Sequence, residues 1–118
     1  MTQMESINRS IARQFSQGDF AAAYLFFSNA VEWEIVGDQV LKGKESVIDF
    51  CTNMTSAMDG SVLANENYIE TENQIAIQGR CSYLNEAKQE SLIQYCDIYV
   101  FENSKIKRIT SYCIDKRV

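Results

Sequence analysis

Two carboxylates stand where an apolar setting could turn them into acid–base groups. The first is Asp97, inside "LIQYCDIYVF". Both alternating faces of that run are otherwise largely apolar, so an ionised carboxylate there needs a partner or a proton. Its period-two neighbours are Ile93, Tyr95, Tyr99 and Phe101. Phenols and a carboxyl on one concave face could take a small organic ligand. The same group could instead tie down a loop or accept from a tyrosine or backbone amide. The second carboxylate is Glu34, in "VEWEIVGDQVLKG". Strand alternation puts Val31, Trp33 and Ile35 on one face and Glu32, Glu34 and Val36 on the other. Periodicity alone makes Glu34 a wet carboxylate and Trp33 a core or interface anchor.

Histidine is absent. That removes every Ser-His-Asp and Cys-His nucleophile system and leaves Asp, Glu, Tyr, Lys and Cys for proton transfer. The four cysteines, Cys51, Cys81, Cys96 and Cys113, are widely spaced with no CxxC pair. They read as reduced thiols acting as small hydrophobes rather than zinc ligands. "GDQVLKGK" lacks the phosphate-loop pattern. No metal and no cofactor are expected.

The elements that must hold these residues fit one domain spanning 1–118, 46% hydrophobic, with formal net charge −5. An acidic surface repels phosphate backbones, so no nucleic acid is expected. The start "MTQMESINRS" has no apolar leader pattern, and no apolar run approaches the roughly 20 residues of a membrane span. The expected location is cytoplasmic, with no membrane partner.

Helical signals come first. Thr2 and Glu5 form a capping box. Met4, Ile7, Ile11 and Phe15 make one stripe, and Gly18 ends the helix. Asp19 can cap a short helix over "FAAAYLFF", and a third helix follows Gly43, with Val47, Phe50, Cys51, Met54 and Met58 on one face and Gly60 as its stop. The second half alternates as strands. "QIAIQGRCSYL" puts Ile75, Ile77, Cys81 and Tyr83 on one side, "SLIQYCDIYVF" suits a central strand covered on both faces, and "KIKRITSYCID" follows. "NEAK" and "ENSK" are the hairpin loops, and "YIETENQ" reads as a solvated hairpin. Three helices with a short β insertion, then three or four strands, predict an α+β fold on a mainly antiparallel sheet.

The run "GDFAAAYLFFSNAVEWEIVGDQVLKGKESVIDF" resembles the amino-terminal half of SnoaL-like domains, relatives of ketosteroid isomerases and polyketide cyclases in the nuclear-transport-factor-2-like superfamily. Gly18, Asp19, Gly37, Gly43, Lys44 and Phe50 match that pattern in order, and "YCDIYVFENSKIKRITSYCID" resembles its last hairpin. The resemblance runs from about Ile7 to Asp115. It implies a curved sheet wrapped around three N-terminal helices, a cone with an internal apolar pocket, and a homodimer through the convex sheet face. In ketosteroid isomerases the catalytic base lies three residues before the strand-ending glycine, which falls on Glu34. The resemblance thus turns Glu34 inward and Trp33 outward. Their protonated aspartate, the handling of a neutral acid by an apolar site, falls on Asp97. Phe50 and Cys113 would line the pocket, with Tyr95 or Tyr99 replacing a donor lost at Ile11.

The expectation is therefore a small-molecule-binding protein. Its pocket takes a small apolar organic ligand, with Glu34 and Asp97 as the catalytic pair for isomerase- or cyclase-type proton transfer, and Phe50, Tyr95, Tyr99 and Cys113 binding the substrate. A non-catalytic ligand-binding domain and a dimeric association module are the alternatives.

Overall fold

The computed structural model describes residues 6–116. Thr2, Met4 and Glu5 lie outside them. Helix α1 spans Ile7–Ser16, and its N-cap is Ser6, whose hydroxyl oxygen accepts from the Arg9 amide at 3.0 Å. Ile11 and Phe15 bury the stripe as expected, but Ile7 is 73% exposed. Gly18, at φ +95°, stops the chain in the left-handed region that a side chain would resist. The following Phe20–Phe26 segment forms a 3-10 helix rather than an α-helix, and Asp19 sits at its start without a side-chain capping bond. Helix α2 spans Lys44–Ala57.

Six strands follow the expected order: β1 Phe27–Ile35, β2 Gln39–Lys42, β3 Val62–Glu70, β4 Gln74–Leu84, β5 Glu90–Glu102 and β6 Lys105–Lys116. They form one curved, unclosed sheet in the order β2-β1-β6-β5-β4-β3. Every pairing is antiparallel except β1 with β6, which is parallel. The β5–β6 turn is two residues, Asn103 and Ser104, both at positive φ. Such a turn has the twist that its flanking strands require. The hairpin expected at "YIETENQ" joins β3 to β4, but the start and extent of β3 were not legible. Its pairing slips between Asn65 and Asn67, and the bulge breaks the period-two pattern.

The core lies between the helices and the concave face. Phe15 is its hub, meeting Phe20, Trp33, Phe27 and Tyr99 edge-on at 4.9, 5.2, 6.0 and 6.0 Å between ring centres. Strand β5 is central but not covered on both faces: Ile93, Tyr95, Asp97, Tyr99 and Phe101 face the helices, while Leu92, Cys96, Ile98 and Val100 stay half-buried on the outer side.

Strand β1 corrects the orientation drawn from the resemblance. Val31 and Trp33 are buried, and Trp33 packs inward against Phe15 and Phe50. Glu34 faces the other side with Glu32, and both carboxylates grip Arg108 of β6, at 2.9 and 3.0 Å. A one-residue slip would turn Glu34 inward but would also expose Trp33 and Val31 to water. Apolar alternation wins, and Glu34 does not reach the interior.

Candidate functional site

Between α1, α2 and the concave face lies a cavity of about 380 Å³. Its walls are mostly apolar: Phe20, Trp33, Phe50, Met54, Met58 and Ile93. Tyr83, Tyr95, Cys81 and Cys113 add polar edges, and Asp38, in the exposed turn after β1, also lines it. Among the described residues, no lysine or arginine contributes to the lining.

Asp97 is a buried carboxyl of this cavity, 8% exposed. Alternation along β5 turns it inward, opposite Ile77 of β4 and Ser111 of β6. Ser16, the last residue of α1, donates from Oγ to Asp97 Oδ2 at 2.8 Å. Ser111 bonds to the carboxyl from the neighbouring strand. Each serine has an aromatic group behind it. The Trp33 Nε1–H donates to Ser111 Oγ at 2.8 Å, and the Tyr99 hydroxyl shares a hydrogen bond with Ser16 Oγ. Burial pushes the Asp97 carboxyl above the usual carboxylate range, and the bonds from Ser111 and Ser16 oppose that rise without cancelling it.

That direction sets a pH dependence. Below the ordinary carboxylate range, near pH 4, both folded and unfolded chains carry the Asp97 proton. As pH rises, the unfolded chain releases it first, so stability falls until the folded pKa is passed. The stability of the wild type relative to Asp97→Asn is therefore expected to decline with rising pH above about 4, in urea titrations across a pH series. A difference that grows with pH would contradict the buried, desolvated state of this group.

The remaining expected residues divide. Phe50 and Cys113 line the cavity, and desolvation, then Asp97, pushes the Cys113 thiol up to about 11. Tyr95 also lines it, with its hydroxyl donated to Asn65 Oδ1, and burial raises its pKa. Tyr99 does not: it is fully buried behind Ser16 and Phe15, so direct contact with a ligand is ruled out by packing. Glu34 lies on the outer face with Arg108, so its pairing with Asp97 across a ligand fails on geometry. Ser16, Ser111, Trp33 and Asp38 were not anticipated as site residues. Ser16 adjoins a predicted core residue, and Trp33 was read as a core anchor. Ser111 becomes visible only through strand pairing.

Chain similarity follows this architecture. The SnoaL-like domain pattern matches residues 7–109. No curated protein matches the chain. Among solved structures, an NTF2-like protein of unknown function from Cytophaga hutchinsonii is 54% identical, covers 95% of this chain and 100% of its own, and superposes with a TM-score of 0.91. A candidate SnoaL-like polyketide cyclase from Jannaschia sp. CCS1 is 13% identical, with 95% and 91% covered and a TM-score of 0.72. The epoxide hydrolase/cyclase-like enzyme SalBIII is 15% identical, with 89% and 85% covered and a TM-score of 0.70. At those identities the last two share the fold alone. The family match over most of the chain and the 54% identical structure lead to one conclusion: the chain belongs to the SnoaL-like domain family, within the NTF2-like superfamily.

Proposed function

We propose that the cavity binds a small, uncharged, largely apolar organic compound bearing a carbonyl or hydroxyl oxygen, and that Asp97 in its neutral form donates to that oxygen. The observation that carries this reading is an apolar cavity of about 380 Å³ with one buried carboxyl in its wall. That volume is within the range of small-molecule sites. Among the described lining residues an anionic ligand would meet Asp97, Asp38, thiols and phenols but no cation. A carboxylate left unpaired in such a place is costly. At pH 7 the chain is expected to bind 2-acetylnaphthalene at least about tenfold more tightly than 2-naphthoate by calorimetry, and a reversed order would sink the reading.

A proton-transfer reaction of isomerase or cyclase type needs a second group. Asp38 is the other carboxylate lining the cavity, and it takes the place of Glu34 as candidate base. If turnover is found, Asp38→Asn should abolish it and Glu34→Gln should not; the opposite result would remove Asp38.

For partners, the proposal is a second copy of the chain on the convex face. There Ile69, Ala76, Cys96, Tyr112 and Ile114 border a shallow hollow with Gln78 and Gln94, all uncharged. Two copies of a chain with net charge −5 can meet at an uncharged patch without added repulsion. Sedimentation should show a dimer that Ile114→Asp shifts to monomer; a monomeric wild type at high micromolar concentration would dismiss it. A cytoplasmic location stays within the proposal, on the reduced-thiol argument.

A further inference from the structure

The hydrogens around Asp97 run in one direction. The indole N–H of Trp33 can only donate, so Ser111 Oγ must accept it, and the Ser111 hydrogen is left for Asp97. On the other side Ser16 gives its only hydrogen to Asp97 Oδ2, so in the bond between Ser16 and Tyr99 the phenol is the donor. Two chains, Trp33–Ser111 and Tyr99–Ser16, thus converge on one carboxyl with their donors forward.

We propose that Ser16 and Ser111 are positioning residues: they hold the Asp97 carboxyl as an acceptor from both sides, so the proton of the neutral acid has only the cavity, and a ligand oxygen in it, to point to. Tyr99 and Trp33 act one step further out by fixing the serine hydroxyls. Without them a serine could turn and accept the acid's proton itself. The inference rests on the ligand-binding reading above and assigns roles within that site. The other titratable groups facing Asp97 are Tyr95 and Tyr99 of β5 and Cys113 of β6, with Cys96 on the outer side; desolvation pushes each of them up. Cys81 of β4 and Asp38 line the same cavity, and α1 and β1 supply Ser16 and Trp33 to the network.

The experiment compares 2-acetylnaphthalene with its carbonyl-free isostere, 2-isopropenylnaphthalene, across a pH series. The wild type is expected to prefer the ketone by about five- to tenfold at the acidic end of the series, the worth of one hydrogen bond, and to lose that preference as Asp97 ionises. Tyr99→Phe keeps its ring but frees Ser16 to accept. The preference at the acidic end should shrink to below about twofold while affinity for the alkene holds. Ser16→Ala removes a donor to the carboxylate without supplying an acceptor. Its preference should persist at the acidic end and extend to higher pH than in the wild type. A merely structural role would make both variants lose both compounds alike, and that result, or a Tyr99→Phe preference equal to wild type, overturns the inference.

A second readout needs no ligand. Trp33 is the chain's one tryptophan. Its emission should titrate with the midpoint of Asp97, move to higher pH in Ser16→Ala, and fall flat in Asp97→Asn. Failure of both naphthalenes to bind would defeat the ligand reading while this titration still decides the network. An emission midpoint unmoved by Ser16→Ala would defeat the network by itself.

Discussion

Phe15→Ala is expected to cost about 4 kcal/mol, read as a lowered urea midpoint with unchanged slope. The side chain is 2% exposed and meets four aromatic rings, Phe20, Phe27, Trp33 and Tyr99. Removing it gives up the transfer energy of a ring and leaves a hole the neighbours cannot fill, since each is held from another side. Phe15 also separates the cavity from the deeper core. The variant should therefore merge that hole with the cavity and loosen Ser16, the next residue along α1. Phe15→Leu, nearer in volume, is expected to lose clearly less. Equal losses for alanine and leucine would mean that aromatic edge contacts, not filled space, are what Phe15 supplies.

The second large effect belongs to Gly79. It faces inward on β4, paired with Asn65 of β3 and Tyr95 of β5. A methyl group there would run into the carbonyl oxygen of Ala64 and the hydroxyl end of Tyr95. The carbonyl belongs to the β3 backbone and cannot retreat without opening the β3–β4 ladder. Tyr95 is tied to Asn65, whose amide in turn donates to the Arg13 carbonyl at 3.0 Å. Gly79→Ala should thus destabilise by about 3 kcal/mol, at the upper end of overpacking costs. Adding Tyr95→Leu should recover part of the loss, because only one of the two obstacles is removed. Wild-type thermal stability in Gly79→Ala would show that the ring crosses elsewhere. The contact also has a functional side: it seats Tyr95, which lines the cavity with Asp97.

Much of this fold could be read from the chain. Helix stops at Gly18 and Gly60, the apolar stripe of Ile11 and Phe15, and the alternation of β4 to β6 are local signals, set by backbone sterics and by which side chains leave water. The same logic marked Asp97 as a carboxyl in an apolar strand and gave Glu34 its outward side from period two alone. Counting back from Gly37 by family pattern reversed that side. The structure keeps the period-two answer, because the energy of burying Val31 and Trp33 exceeds anything a glutamate could gain inside.

What local signals could not supply is register. The two-residue turn at Asn103 and Ser104 by itself would set Asp97 opposite Thr110. A slip between Val100 and Phe101 moves the pairing by one residue and brings Ser111 there instead. That single offset puts a hydroxyl beside the carboxyl and beneath the Trp33 indole. Ser16 arrives from 81 residues away by the packing of α1 on the sheet. Sequence determined which residues are apolar, which strand carries the acid, and that no histidine chemistry is available. Tertiary structure decided which hydroxyls surround that acid and that Tyr99 stands behind it. Those depend on a bulge and on helix docking, where contacts between distant segments, not neighbouring side chains, set the energy.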